Sequence, residues 1–190
     1  MTTLLPSLLI DGHEFSIAEL SAARLDGDVV GVGSAFAPAG ALVDHRHRAA
    51  AIAADVPPAG IVVGRSAAWL QSGFGRPPLP IEIGVSGPAT RWSRPYRNAR
   101  SMRVRPEHRE TVGIAGATVA VLTPVAVVLD LARVAPEAGD DALIRAVLER
   151  CGVAMDEVFD ALARWTHLPG KREVVARLGS LSAGQPPFTR

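Results

Sequence analysis

Apolar positions along this chain come in short blocks whose period switches between three-to-four spacing and strict alternation, with Gly or Pro at most boundaries. The first block, "SIAELSAARLDGD", sets Ile17, Leu20, Ala23 and Leu25 at helical spacing. Ser16 with Glu19 three residues on forms a capping box, and Gly27 is the stop. "DVVGVGSAFAPAG" then reads as two short strands, Val29–Val30 and Ala35–Phe36, around a turn at Gly31 to Ser34. Helix followed by hairpin is the second half of a winged helix-turn-helix unit. "ALVDHRHRAAAIAADVPPAG" predicts a helix ended by Pro57, Pro58 and Gly60, and "IVVG" a brief buried strand.

The next stretch, "GRSAAWLQSGFGRPPLPIEIGVSG", predicts a short helix stopped by glycines and then a proline-edged strand. In "LPIEIGV" the residues Ile81, Ile83 and Val85 face inward and Glu82 outward. "ARSMRVRP" places Met102 and Val104 inward and its arginines outward. "TVGIAGATVAVL" is a strand pair or one bent strand. Thr123 caps "TPVAVVLDLARV", with Pro124 at the first helical position, where its missing N–H costs nothing. "GDDALIRAVLERCG", "AMDEVFDALARWTHLPG" and "KREVVARLGS" predict three short helices with glycine stops, and "SLSAGQPPFTR" a frayed tail. The expected class is α+β: a reduced winged-helix-like unit over 1–40, then a small mixed sheet packed with helices and a helical C-terminal part over 41–180, then a tail over 181–190.

Composition narrows the class. In 190 residues, hydrophobic side chains make up 48% and charged ones 21%, so a packed core is expected and disorder is not. Aromatics are only 5%, which leaves the core to Ala, Val, Leu and Ile. The single cysteine, Cys151, lies in an apolar pattern and is expected as a buried thiol. The opening residues lack a basic start, Pro6 breaks their apolar run, and no run approaches the roughly 18 residues of a membrane span. A cytoplasmic protein with no membrane partner is expected.

The net charge of +1 hides a segmented distribution. Residues 1–40 carry Asp11, Glu14, Glu19, Asp26 and Asp28 against Arg24. Residues 91–109 carry Arg91, Arg94, Arg97, Arg100, Arg103, Arg105 and Arg109 against Glu107. With Trp92 and Tyr96 interleaved, that segment suits phosphate contacts and base stacking. It is equally readable as a solvated hairpin tip, and it is the one positive functional signal. The candidate site for nucleic acid or an acidic partner is Arg91, Trp92, Arg94, Tyr96, Arg97, Arg100, Arg103 and Arg105.

Catalytic patterns are thinner. His45 and His47 are two apart and fall on different faces of a helix, so a solvated helix start is expected there, not a metal site. Glu82 could serve a restriction-type nuclease, but Gly84 stands where its lysine belongs, and Lys171 is the only lysine. No G-x-S-x-G elbow, Walker lysine or complete dinucleotide fingerprint occurs. Asp130 in an apolar helix requires a partner, for which Arg133 at i+3 or backbone amides of a neighbouring element are candidates, and it is expected as a buttress. No catalytic residue, metal ligand or cofactor is expected. Trp69, with Ala67 and Leu70, is expected as scaffold beneath the sheet.

The order "FSIAELSAARLDGDVVGVGSAFAP", "IVVGRSAAWLQSG", "LPIEIGV", "RVRPEH", "AVLTPVAVVLDLARV" resembles the AbiEi-type antitoxins of type IV toxin-antitoxin systems, in an actinobacterial branch related to the front end of very-short-patch-repair-like nuclease fusions. The matching positions are Arg65, Ala67, Ala68 and Trp69, then Thr123, Pro124, Asp130 and Leu131. The resemblance spans about Ile10 to Leu178. It implies a winged helix that binds DNA for autoregulation and a C-terminal part that opposes a nucleotidyltransferase toxin. The first helix of the winged unit is reduced to "LLPSLLI", the unit is acidic, and the nuclease portion is absent. DNA and a cognate toxin are the implied partners. A decayed or unusual metal-dependent nuclease and a purely protein-binding module are the alternatives.

Overall fold

The most apolar block of the chain is its structural hub. In the computed structural model, which describes residues 8–9, 15–85, 99–102, 104–114, 116–134, 136–165, 168 and 170–183, that block is helix α4 (Pro124–Arg133). Every residue from Ala126 to Ala132 is buried, because α4 is covered on all sides by α3 (Gly64–Ser72), α5 (Asp140–Arg150), α6 (Met155–Arg164), α7 (Lys171–Ala183) and strand β7 (Ala117–Leu122). The architecture is mixed α and β, with seven helices and two sheets among the described residues.

The larger sheet has five strands in the order β5 (Ala99–Ser101), β4 (Ile83–Val85), β3 (Ile61–Val62), β7, β6 (Arg109–Ile114). The central β3 runs parallel to β7, with Ile61 opposite Ala120, and antiparallel to β4, with Val62 opposite Ile83. β4 and β5 are parallel, and β6 and β7 antiparallel. Val62 and Val121 are fully buried, as expected for inner strands covered on both faces. The second sheet pairs β1 (Val29–Val32) with β2 (Ala35–Pro38), and Leu9 bridges to Phe36. Helix α2 (His45–Ala51) packs on β6 and β7.

Helix α1 (Ile17–Asp26) has the capping box read from Ser16 and Glu19, and Gly27 closes it with φ 85°. Its apolar spacing yields little burial: Leu20 alone is buried, while Ile17 is 52% and Leu25 88% exposed. Helix α2 is shorter than expected. Its second histidine is not solvated: His47 is buried, beside the capping Asp44. Asp44 Oδ1 accepts the N–H groups of Arg46 and His47 at 2.9 and 3.0 Å. Strand β4 covers only the end of "LPIEIGV", and α7 continues to Ala183 with Leu181 buried, so the helix enters the stretch expected as a tail. Cys151 is half-buried, and burial pushes its thiol up. Among the described residues no helix is long and apolar enough to cross a membrane.

Trp69 is where the sequence pattern puts it, 4% exposed in the core with Ala67, Ala68 and Leu70. Helix α3 is unusual in how its ends are held. Its N-cap, Val63, has no capping side chain. At the other end Arg48 donates from Nε to the Leu70 carbonyl (2.8 Å) and from Nη2 to that of Gln71 (3.1 Å), while Arg150 donates to that of Ser72 (3.3 Å). These cations meet the carbonyl-rich end of the helix dipole.

Candidate functional site

The free amides at the start of α3 are met by carboxylates from two other elements. Gly64 N–H donates to Asp130 Oδ2 at 3.0 Å, and Arg65 N–H to Glu82 Oε2 at 3.3 Å. Ser66 Oγ accepts the Glu82 N–H at 2.9 Å, which fixes the strand end against the helix. Position 64 favours glycine: φ is +58°, and a Cβ there would displace the Glu82 carboxylate. Glu82 therefore packs onto the helix start and does not point outward.

Asp130 is 5% exposed. Besides Gly64 it is bonded by Arg100 from β5, and Arg133 stands at 3.4 Å. Both partners expected for it, Arg133 and a neighbouring element's amide, are present, but the closest cation is Arg100. That corrects the outward placement of the "ARSMRVRP" arginines: Arg100 turns in because Asp130 would otherwise be a buried unpaired charge. For Glu82, burial pushes the carboxyl above its usual range. The Arg65 amide and the Arg65 and Arg100 charges oppose that push, and neighbouring Asp130 adds to it.

A second ion cluster lies alongside. Arg65 donates from Nε to Asp140 Oδ1 (2.7 Å) and from Nη2 to Oδ2 (3.3 Å), and pairs with Glu137 (2.9 Å). Asp140, 1% exposed, also accepts the Glu137 N–H at 2.9 Å. Burial alone raises the Asp140 carboxyl, but the Arg65 and Glu137 bonds outweigh it and hold it below the usual range. Those pairs with Asp140 and Glu137 raise Arg65 in turn. The two clusters border an open cavity of about 370 Å³.

On the far side of Asp130 is a different environment. A pocket of about 130 Å³ is lined by Met102, Val104, Arg105, His108, Asp130, Arg133 and Trp165 among others. It adjoins a cleft of about 460 Å³ that shares Arg105, His108 and Trp165 and adds Thr123, Glu157 and Arg164. The His108 and Trp165 rings are 5.3 Å apart at 34°. Arg105, half-exposed, has a loose contact to Glu107 at 3.8 Å. Among the described residues Arg164 donates only through Nε, to the Asp160 carbonyl at 3.1 Å. Thr123 is the α4 N-cap without a side-chain bond, and its N–H donates to the His108 carbonyl at 3.1 Å.

Of the residues predicted from sequence, Arg91, Trp92, Arg94, Tyr96, Arg97 and Arg103 lie outside the described residues. The other two separate: Arg100 binds Asp130, while Arg105 lines the cleft. Glu82 and Asp130, far apart in sequence, meet at one helix end. Lys171, the sole lysine, donates to the Ala163 and Trp165 carbonyls at 3.3 and 3.1 Å and so closes the end of α6. Sequence reasoning does not single out His108, Arg164 or Trp165; the adjacent Arg-Trp pair in "ALARWTH" is the available signal. Among the described residues no three His, Cys, Asp or Glu side chains group as a metal-holding set. A scan against protein-family models gives no match to this chain, and a search of curated proteins gives none either.

Proposed function

We propose that this protein acts by binding, as an AbiEi-like antitoxin or autoregulator whose arginine-rich segment 91–109 contacts nucleic acid or an acidic partner such as a nucleotidyltransferase-type toxin. One observation carries the reading. Arg105, in the same segment, lines a cleft together with Arg164, His108 and Trp165, so cationic and aromatic groups that are distant in sequence share one wall. Phosphate contact and base stacking draw on those two side-chain classes. The buried carboxylates have structural partners instead: Asp130 and Glu82 hold the start of α3, and Asp140 holds Arg65. The acidic balance of residues 1–40 opposes phosphates, which favours the arginine segment over α1 for nucleic-acid contact.

The test is fluorescence anisotropy with duplex DNA over a salt series, for the parent chain and a variant carrying Arg91→Gln, Arg94→Gln and Arg97→Gln. Affinity should fall as salt rises, and the slope should shrink by roughly one unit for each arginine–phosphate pair removed. Co-expression with a nucleotidyltransferase toxin, scored by growth, tests the partner half. Salt-insensitive association with a protein and no DNA shift would favour the protein-binding module, a reading supported by the exposed Phe15, Ile17, Leu25 and Val30 of the first 40 residues. Metal-dependent cleavage abolished in Glu82→Gln and Asp130→Asn would instead support a nuclease.

A further inference from the structure

We infer that the cleft between α6 and the start of α4 is a binding site for one nucleotide unit, a planar base joined through a sugar to phosphate. The chain has few aromatic residues, and one of them, Trp165, packs against the edge of the core while keeping part of its surface in a cleft wall, with the His108 ring 5.3 Å away. At about 460 Å³ the cleft is within the usual range for small-ligand sites.

The cations there retain donors for a ligand. Among the described residues Arg164 uses only Nε, and the Arg105 side chain has only its loose contact to Glu107. Glu157 and Arg164 lie seven residues apart on one face of α6, so their backbones are separated by roughly 10 Å along the helix. Along α6 the cleft thus offers an acceptor, Glu157, and a donor, Arg164, about two turns apart.

Glu107 and Glu157 shape the choice of ligand. Two carboxylates repel a bare anion, but they accept hydrogen bonds from sugar hydroxyls and from base amino groups. A ligand carrying an anion, hydroxyl donors and an aromatic plane satisfies all three side-chain classes. Inorganic phosphate satisfies one. Two sources offer this chemistry, a free nucleotide and an unpaired or terminal residue of a strand. Only the second rests on the nucleic-acid reading proposed above.

Calorimetric titration of the full chain with adenosine monophosphate, adenosine, inorganic phosphate, a ten-residue single strand and the matching duplex is the experiment. The nucleotide or the single strand should bind at least tenfold more tightly than phosphate. Arg164→Gln and Arg105→Gln should each weaken binding about tenfold, the effect of removing one charge-assisted hydrogen bond. Trp165→Leu should weaken every base-containing ligand, whereas Arg172→Gln, on the exposed face of α7, should change nothing. Arg164 is exposed, so its variant tests the site even if Trp165→Leu fails to fold. Equal affinity for nucleotide and strand supports a free nucleotide, and binding of the strand alone supports a strand end. Duplex binding with neither nucleotide nor single strand bound would overturn the inference while leaving the arginine-segment reading intact. Tight binding of inorganic phosphate alone, nucleotide affinity indifferent to Arg164→Gln, or capture of an acidic peptide but no nucleotide would overturn it as well.

Discussion

Replacing Asp130 tests whether the long-range contacts at the start of α3 hold that helix in place. In Asp130→Ala the buried Gly64 N–H loses its acceptor, a cost of about 1–3 kcal/mol. Arg100 loses its counter-charge as well. Breaking a fully buried pair costs about 3–5 kcal/mol, but the Arg100 side chain is 32% exposed and water recovers much of that, leaving roughly 1–2 kcal/mol. A small offset comes from Glu82, which is relieved of a neighbouring negative charge. The expected loss is about 2–4 kcal/mol. Asp130→Asn keeps an acceptor for Gly64 and forfeits only the charge, for about 1–2 kcal/mol. Urea unfolding followed by far-UV circular dichroism reads both: with a slope near 2 kcal/mol per molar, the alanine variant should move the midpoint by about 1–2 M at unchanged slope. A double-mutant cycle with Arg100→Met isolates the pair. A loss below about 1 kcal/mol for the alanine variant, or equal losses for alanine and asparagine, would refute the argument.

Trp69→Ala should cost about 3–5 kcal/mol by leaving a cavity in the core, measured by the same unfolding experiment. Asp140 titrates below its usual range in the folded chain, so its contribution is complete above pH 3.8 and disappears as pH falls through the lowered value. Asp140→Asn should therefore destabilise at neutral pH and flatten the acid limb of the stability profile. Glu82 has the opposite sign, since its folded carboxyl is raised above 4.5 and ionising it penalises the fold as pH climbs from 4.5 through the raised value. Glu82→Gln should remove that decline, visible as a flatter melting temperature against pH. Gly64→Ala should destabilise, because it combines a positive φ with a Cβ that pushes the Glu82 carboxylate off the Arg65 amide; a melting temperature within a degree of the parent would contradict the geometry.

The elements most visible in the sequence are those with local signals. Ser16 and Glu19 announce α1, Pro124 announces α4, and the Val/Ile/Ala-rich run "TVGIAGATVAVL" announces strand at β6 and β7. Pairings between distant positions carry no such signal. Alternation places Glu82 outward because it assumes that one sheet face meets water, whereas here a helix start lies against that position and offers it an amide. The arginines of "ARSMRVRP" look alike in the pattern, and only the fold distinguishes Arg100, which faces a buried acid, from Arg105, which faces a cleft. The burial of His47 comes from α2 lying against β6 and β7, a packing that no spacing rule announces. The cleft draws together residues 105, 108, 157, 164 and 165 from separate elements, whereas the chain order shows each of them only beside its immediate neighbours.

The way α3 is fastened has a consequence for the order in which the chain acquires structure. Helix α1 carries both caps within its own segment, so a peptide of residues 15–28 retains its end signals in isolation. Residues 62–74 carry a local stop at the C-terminal end alone, where the Gly73 N–H donates to the Trp69 carbonyl at 2.7 Å; the acceptors for the first amides of α3 come from positions 82 and 130, Arg48 and Arg150 add donors at the other end, and the ring of Phe74 rests under Arg150. Nine residues with an uncapped start are too few to sustain a helix in water. The Ala-Ala-Trp segment must therefore stay unformed until the sheet and α4 have come together around it. Amide exchange during refolding would show it as a late arrival, behind the β6–β7 pair.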